Sequence, residues 1–407
     1  MLSVRKQILL LLEIVSQNRN YPMRENASNR RKFLQDASLL SSLAFMPSIN
    51  SPIKDGTSLF VPKVQEKIIA PRLKFGVIGI NHGHIYTMAN SIIRGGGEFV
   101  SYYAKEPDLI KDFAKKYPTA KLVKSEAEIL GDPSIQLVLS SITPVERAPL
   151  GIRVMKSGKD YMVDKPGITS LEQLAEVRKV QKETKKIYSI SYSERFENKA
   201  TEKASQLAQT GIIGKVVQTL GTGPHRMSIP SRPSWFFDKK YYGGIITDIG
   251  SHQVDQFLHF TKSTEGQVVA SQVANHKYPQ YPNFEDFGDL MLRGNGGSGY
   301  IRVDWFTPDG LNTWGDGRLT ILGTEGYMEV RKNTDIASPH GTGSHLYLVN
   351  NKETLYIDCK NVELPHGELL VNDVLNRTET AMTQDHCFLA TELALIAQKQ
   401  ATKISAK

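Results

Sequence analysis

Residues 73–84 read LKFGVIGINHGH, an apolar run that leads into a glycine-containing turn. The run is typical of a buried strand, and the helical pattern that follows it, His84–Arg94, is the first of several. Short apolar runs and helical segments then alternate as far as Ser191. Because strands that alternate with helices pair in parallel, the sequence predicts an α/β fold that begins with a doubly wound parallel sheet.

The turn after the first strand has the position, but only part of the composition, of a dinucleotide-binding fingerprint. The fingerprint is G-x-G-x-x-G, whose glycines let the backbone approach a pyrophosphate. Gly79 fills the first glycine position, whereas Asn81 and His84 replace the second and third. Gly83 restores some of the lost freedom. We expect a dinucleotide to lie against these residues and His82, the alternative being a βα turn without a ligand.

The end of the second strand bears on the choice between NAD and NADP. An acidic residue here normally binds the ribose hydroxyls of NAD. This chain has Lys105 followed by Glu106. Lys105 favours NADP, since a lysine can bind the 2′-phosphate, whereas Glu106 would serve NAD. An exposed, solvated pair of charges is a third interpretation.

A lysine and an aspartate–histidine pair carry the strongest chemical signal. The residues Asp164-Lys165-Pro166 directly follow a buried strand and therefore lie at the carboxyl edge of the predicted sheet, where such sheets bind ligands. Much later, Asp248 and His252 stand four residues apart in a predicted helix and share a face. A carboxylate one helical turn from an imidazole can fix its tautomer for general base catalysis.

These motifs resemble those of the Gfo/Idh/MocA oxidoreductases. Asp164-Lys165-Pro166 is similar to the family's E-K-P, with a shorter carboxylate in first place. Residues 242–257, YGGIITDIGSHQVDQF, resemble its G-G-x-x-x-D-x-G-x-H-x-x-D. Residues 193–218, at the entry to the second half, are a further match. The resemblance runs from about Leu73 to the last helix, and it is specific because separated motifs recur in order.

The resemblance implies a Rossmann domain joined to an α/β domain with a large open, mostly antiparallel sheet, in a homodimer or homotetramer. It implies that Lys165 lowers the pKa of a reacting hydroxyl and that His252 takes its proton. Asp248 would orient His252 or the substrate. Besides the turn residues and Lys105, the cofactor-binding residues would include Pro144, Lys165 and Pro166. The cofactor would be NADP or NAD.

Several further residues are candidates for substrate binding. The family often has a histidine after the fourth strand, and this chain has Arg147 in that region, which could bind an anion or form a surface pair. Arg195 opens the second half of the chain. A loop rich in proline and tryptophan offers His225 and Arg226 for hydroxyls or an anion, and Trp235 for stacking on a sugar ring, with core packing as the alternative for Trp235.

The N-terminal segment resembles a twin-arginine export signal. Arg30 and Arg31 precede Phe33, an apolar, serine-rich run and Pro47. The sequence thus predicts four segments: a leader at 1–50, a linker at 51–71, a Rossmann domain at 72–191 and a substrate and oligomerisation domain at 192–407. An exported dehydrogenase should hold its cofactor tightly, because dinucleotides do not diffuse across membranes. The alternatives are a disordered basic tail and a cytoplasmic protein.

Charge and composition exclude several classes of function. Half of the net charge of +8 lies in the leader, and the residues after 50 carry a nearly balanced 43 basic and 39 acidic side chains. No basic stripe with interleaved aromatics indicates nucleic-acid binding. No apolar run is long enough for a membrane span. Cys359 and Cys387, the two cysteines, lack a metal-ligand spacing, and no metal site is expected.

The sequence therefore predicts an NAD(P)-dependent oxidoreductase that interconverts a secondary hydroxyl and a ketone on a sugar, sugar derivative or cyclitol. A second interpretation keeps the fold but makes the cofactor a captive, transient oxidant in a glycoside hydrolase, lyase or epimerase. A third is a non-catalytic nucleotide- or sugar-binding protein, which the eroded glycine fingerprint favours and the retained Lys165, Asp248 and His252 oppose.

Overall fold

The computed structural model describes residues 69–337 and 341–404, and its first sheet is the predicted parallel one. The strand order is β3-β2-β1-β4-β5-β6, with every neighbouring pair parallel. The strands are β1 (Leu73–Ile78), β2 (Gly97–Tyr103), β3 (Lys121–Leu122), β4 (Leu137–Ser140), β5 (Asp160–Asp164) and β6 (Tyr188–Ser191). The order reverses between β1 and β4, which opens a crevice at their carboxyl ends.

Five helices cover this sheet. They are α1 (His84–Arg94), α2 (Pro107–Lys116), α3 (Glu126–Gly131), α4 (Pro144–Lys156) and α5 (Leu171–Thr184). Two of them begin at clear sequence signals: Pro144 opens α4, where the missing N–H costs nothing, and the Ser170 hydroxyl caps α5 by accepting from the Gln173 N–H. The alternation of strands and helices is thus confirmed, with β3 and α3 as elements that the sequence pattern did not reveal.

The second half forms a nine-stranded mixed sheet, in the order β16-β15-β12-β11-β7-β10-β9-β8-β17. Its strands are β7 (Val216–Pro224), β8 (Gly266–Ala274), β9 (Phe287–Gly294), β10 (Ser298–Asp304), β11 (Arg318–Gly323), β12 (Gly326–Arg331), β15 (His345–Asn350), β16 (Thr354–Asp358) and β17 (Thr402–Ile404); β13 (Thr334–Asp335) and β14 (Gly341–Thr342) form a separate pair. Most neighbours are antiparallel, as predicted, but β7 pairs with β10, and β8 with β17, in parallel.

Helices on one face of this sheet join it to the first. They are α6 (Ser193–Phe196), α7 (Lys199–Gln209), α8 (Lys239–Tyr242), α9 (Ser251–Thr261), α10 (His366–Asn376) and α11 (Gln384–Gln400). Helix α10 packs on α1, and its Leu370 and Val371 belong to the same hydrophobic core as β1. The end of the chain therefore completes the packing of the N-terminal sheet.

The helix that the sequence predicts around Asp248 and His252 contains a π-helical turn, Ile246–Gly250, before α9. Both cysteines are buried and unpaired. The twin-arginine-like segment lies outside the described residues, and no helix in the described part is long and apolar enough to cross a membrane.

Candidate functional site

A cleft of about 470 Å³ lies between the two halves, at the carboxyl edge of the parallel sheet. We call its lining residues numbered below 192 the N-terminal wall and those above 192 the C-terminal wall. The N-terminal wall comes from the turn after β1, the start of α4 and the loop after β5. The C-terminal wall comes from the loop after β7, the π turn and the residues beyond β10. Both walls contribute residues that the sequence singled out.

Most of the predicted site residues meet here, and some do not. The predicted residues that line the cleft are Asn81, His82, Gly83, His84, Pro144, Arg147, Lys165, His225, Arg226, Trp235 and Asp248. The predicted residues absent from its lining are Gly79, Lys105, Pro166, Arg195 and His252. Sequence reasoning thus located the cleft from both halves of the chain.

Asp164, at the end of β5, organises the N-terminal wall from behind. Its side chain is fully buried and accepts hydrogen bonds at 2.8 Å from Nδ1 of both His82 and His84. Burial alone would raise the pKa of Asp164, but the neighbouring charges of His84, Arg147 and His82 hold it well below its usual range. His84, which replaces the third fingerprint glycine, and its neighbour His82 are therefore both fixed to the lysine loop by one carboxylate.

Arg147 completes this arrangement and is not the solvated surface residue that its type suggested. Its side chain is 2% exposed. Its guanidinium donates to the backbone carbonyls of residues 164–166, to a carboxylate oxygen of Asp164 and to the carbonyl of Ile142. These contacts leave little of the guanidinium for a substrate anion and instead fix the loop that carries Lys165.

Lys165 forms a buried ion pair with Asp248 across the cleft. The Nζ of Lys165 donates to Oδ1 of Asp248 at 2.9 Å, and both side chains are buried. The carboxylate of Asp248 thus binds the lysine, rather than His252 as the predicted i,i+4 helix implied. The π turn explains the difference, because its wider turn changes the angular spacing between residues 248 and 252.

His252 lies at the start of α9, 2% exposed. Its Nδ1 is buried without a hydrogen-bond partner among the described residues. Burial, and then the charges of Lys165 and His84, hold the pKa of His252 well below its usual range. The imidazole is therefore neutral at neutral pH. It is near enough to Lys165 for the lysine charge to affect its pKa, although it does not line the cleft.

The fingerprint turn leaves room for a dinucleotide. Gly79 has φ +80°, and a Cβ there would lie 2.7 Å from Ile142, so glycine is required. A Cβ at Gly83 would meet nothing within 4 Å, so the space in front of the turn is open. Asn81 donates to Glu106 at 2.6 Å, which orients that carboxylate beside the turn, while Lys105 is exposed. These residues fit a dinucleotide.

The loop after β7 closes the C-terminal wall with aromatic rings. His225 packs edge-on against Trp305 and Trp314, at centroid distances of 5.4 and 4.6 Å. Burial and the charge of Lys165 lower the pKa of His225 to about 3. Arg226 donates to the carbonyls of Pro308 and Leu311, which ties the loop down. Trp235 is half-buried and lines the cleft, as predicted for a stacking surface.

Arg195 lies away from the cleft surface. It is 8% exposed and forms a two-point ion pair with Asp255, at 2.6 and 2.7 Å. His386 also contacts Asp255, at 2.8 Å. Arg195 therefore joins the start of the second half to α9 and α11, which is a structural contact and not a substrate contact.

One group in the described part has ligand atoms close enough to hold a metal ion. The ligand atoms of His82, His84 and Asp164 lie within 4.8 Å of one another. However, Arg147 donates to the same carboxylate at 3.1 Å, and Lys165 is the next residue in the chain. These positive charges oppose a cation, so the group is better explained as a hydrogen-bond cluster. Glu194, His225, Asp248 and His252 do not form such a group among the described residues.

Sequence reasoning assigned no role to Arg232 or Trp305, which both line the C-terminal wall. Arg232 lies with its guanidinium carbon 4.5 Å from the ring centroid of Phe236 and 4.9 Å from that of Trp305. Trp305 ends the apolar strand motif of β10, and its pattern indicated only core packing. The proximity of Arg232 to the aromatic pair Trp235-Phe236 in sequence was the one available signal, since arginine stacks readily on aromatic faces.

Comparison with known families accounts for both halves of the chain. A family model described as "Oxidoreductase family, NAD-binding Rossmann fold" matches residues 73–192, and one described as "GFO/IDH/MocA C-terminal domain" matches residues 201–329. The chain is 23% identical to the scyllo-inositol 2-dehydrogenase (NAD(+)) of Bacillus subtilis, over 62% of the chain and 72% of that enzyme. It is 27% identical to the myo-inositol 2-dehydrogenase of Thermotoga maritima, over 49% of the chain and 58% of that enzyme.

Solved structures agree. An Erwinia carotovora atroseptica protein assigned to the oxidoreductases is 43% identical, with a TM-score of 0.79 over 82% of this chain and all of that one. Levoglucosan dehydrogenase, solved with NADH, has a TM-score of 0.65 over 81% of this chain and 98% of that one, and at 17% identity it supports the fold alone. The two family matches together span more than half of the sequence, and the chain therefore belongs to the Gfo/Idh/MocA family of NAD(P)-dependent oxidoreductases.

Proposed function

We propose that the protein interconverts a secondary hydroxyl and a ketone on a sugar, sugar derivative or cyclitol. The observation that carries this proposal is the buried pair of Lys165 and Asp248, which lies in the cleft beside the fingerprint turn. An ammonium group that is held in place beside the reacting oxygen stabilises a developing alkoxide. The names of the inositol dehydrogenases among the relatives support a polyol substrate.

The N-terminal wall would hold the dinucleotide, which supplies the hydride acceptor or donor when it is bound. The open space at Gly83 would admit the pyrophosphate, and Pro144 and Pro166 would border the nicotinamide end. Glu106, which is held by Asn81, would bind ribose hydroxyls. Because a carboxylate repels a 2′-phosphate, this contact favours NAD over the NADP that Lys105 alone suggested.

Proton transfer would be shared by residues of both walls. Lys165 would donate a hydrogen bond to the reacting oxygen, with its charge balanced by Asp248. His252 would accept the proton of the hydroxyl at a ring nitrogen, and its low pKa keeps it in the neutral form that a base requires. Asp164 and Arg147 act on the reaction only through the position of the lysine loop.

The first experiment identifies the cofactor. Purified protein would be denatured, and the released small molecules would be analysed by mass spectrometry for NAD(H) and NADP(H). The protein would then be assayed with inositols and aldoses and with either dinucleotide added. Oxidation with reduction of free cofactor supports a dehydrogenase. A stoichiometric captive dinucleotide with product formation but no cofactor consumption indicates the captive-oxidant reaction, and failure to bind either dinucleotide contradicts the proposal.

Lys165→Met tests the site and has a matched control. We expect its turnover to fall by roughly 10²–10⁴-fold, with dinucleotide binding retained. Lys159→Met is the control, since Lys159 is also buried but lies at the opposite end of β5, where it donates to the carbonyls of Asp132 and Ile135. Equal losses in the two variants would show that the effect is structural.

The outer face of the nine-stranded sheet supports a homo-oligomer. Tyr300 is 39% exposed and pairs in register with Leu220 and Met291, which are also exposed. Leu322 and Tyr327 extend this apolar surface. Contiguous exposed apolar side chains commonly mark an interface. Light scattering should show a dimer or tetramer that Tyr300→Asp dissociates, and a wild-type monomer would rule this interface out.

Export by a twin-arginine signal is a separate proposal, supported by the order of residues at 30–47. A fusion of residues 1–71 to a reporter that is active only after folded export would test it. Replacement of Arg30 and Arg31 by lysine should abolish export. A reporter that stays in the cytoplasm with the native arginines would favour a cytoplasmic protein.

A further inference from the structure

The polar groups of the cleft are mostly hydrogen-bond donors. Four of the described lining residues are permanent cations, namely Arg147, Lys165, Arg226 and Arg232, whereas one, Asp248, carries a carboxylate. Three of the cations have partners in the chain: Arg147 binds Asp164 and backbone carbonyls, Lys165 binds Asp248, and Arg226 binds loop carbonyls. Arg232 differs from them.

Arg232 forms no salt bridge among the described residues. Its Nε donates to the carbonyl of Met227 at 2.9 Å, and one terminal nitrogen donates to the carbonyl of Arg226 at 3.3 Å. The other terminal nitrogen has no partner in the described part. Burial lowers the pKa of Arg232, and the charge of Asp248 partly opposes this shift. The guanidinium therefore has a charge that the chain compensates incompletely.

Aromatic rings hold this guanidinium in one orientation. Arg232 stacks on both Phe236 and Trp305, within 4.9 Å of each ring centroid. The Nε1 of Trp305 is itself buried without a partner among the described residues. An arginine that is already ordered and partly desolvated loses little entropy when an anion binds. Its planar N–H groups match a carboxylate, which accepts two parallel hydrogen bonds.

We propose that the substrate is a sugar acid, whose carboxylate binds Arg232 while one of its hydroxyls binds Lys165. The inference rests on the proposed function for the reacting hydroxyl, and on Arg232 alone for the carboxylate. The C-terminal wall thus selects the substrate by charge. A neutral sugar would leave the charge of the guanidinium uncompensated, because its hydroxyls can accept hydrogen bonds but carry no negative charge.

Matched pairs of sugars test this selection. The kcat/KM of the dinucleotide-loaded protein would be measured for D-galacturonate against D-galactose and for D-glucuronate against D-glucose. We expect wild type to prefer at least one acid to its neutral counterpart. Arg232→Gln should reduce that acid-to-neutral ratio by roughly 10- to 100-fold, mainly through KM for the acid. Lys111→Gln, which removes an exposed positive charge on α2, is the control and should keep the wild-type ratio.

The outcomes separate the inference from the proposed function. A wild-type preference for neutral sugars, or an equal ratio in wild type and Arg232→Gln, would overturn the inference while leaving the oxidoreductase intact. If no sugar is oxidised or reduced, calorimetric titration of the same four sugars gives a second readout. Acid binding that Arg232→Gln weakens would then support the carboxylate site, while the proposed reaction on these four sugars would be refuted. Absence of acid binding would refute the inference.

Discussion

The two walls of the cleft differ in how fully their polar groups are paired. Behind the N-terminal wall, His82, His84 and Arg147 all bind the carboxylate of Asp164. On the C-terminal wall, Arg232 has no carboxylate in contact and Trp305 Nε1 has no partner among the described residues. His252, behind this wall, likewise has an unpartnered Nδ1.

This difference fits a division of labour between the walls. Internal hydrogen bonds can fix the N-terminal wall, the proposed cofactor surface, before a ligand arrives. The C-terminal wall, the proposed substrate surface, keeps donors open, so that a ligand can complete their hydrogen bonds. Unpaired donors lower the stability of the free protein. A ligand with matching acceptors pairs these donors and therefore binds more tightly than a ligand that lacks the acceptors.

The largest expected effect comes from removing the carboxylate that pairs the polar groups of the N-terminal wall. Asp164→Asn removes the charge that balances Arg147, so a buried guanidinium loses its carboxylate. We expect a loss of about 3–5 kcal/mol in the free energy of unfolding, measured by urea denaturation. Dinucleotide affinity should fall as well, because an asparagine offers one acceptor oxygen where His82 and His84 together use two.

The control for this variant is Asp112→Asn. Asp112 is 71% exposed in a surface pair with Lys115, so its loss should change stability by less than about 1 kcal/mol. If Asp164→Asn were as mild as this control, the carboxylate could not be the centre of the N-terminal wall.

The sequence predicted the paired wall less well than the fold. Periodicity located the parallel sheet, and separated motifs located Lys165, Asp248 and the turn at Gly79. It did not show that the histidines at 82 and 84 would bind Asp164, because the contact joins two strand ends about eighty residues apart. It also placed Asp248 on the same helix face as His252, as a partner for His252 or the substrate, since a helical spacing cannot reveal the π turn between them.

His252, behind the C-terminal wall, should make the stability of the protein depend on pH. The folded pKa of His252 is well below 6.5, so the unfolded chain binds more protons between these two values. Stability from this residue is therefore lost as pH falls below about 6.5. His252→Leu removes the titrating group, so its stability should fall less than that of wild type between pH 7 and pH 5.

Denaturation at several pH values measures this difference. Equal pH dependence in wild type and His252→Leu would mean that folding does not shift the pKa of His252, which would contradict the effect expected from its burial. Rates should be compared separately, since the same substitution is expected to abolish proton transfer.

The smallest expected effect is a difference in stability between the loss of one hydroxyl on the N-terminal side of the cleft and one on the C-terminal side. On the N-terminal side, the buried Ser141 hydroxyl accepts from the His82 N–H and donates to the His82 carbonyl. Beside Asp248, the buried Thr247 hydroxyl has no partner among the described residues. Ser141→Ala should destabilise the protein by about 1–2 kcal/mol because it leaves a backbone N–H unpaired. Thr247→Val keeps the shape and removes an unpaired group, so it should be neutral or slightly stabilising. Urea midpoints that fall equally in the two variants would mean that Thr247 has a hydrogen-bond partner after all, and the contrast between the walls would then be smaller than the structure indicates.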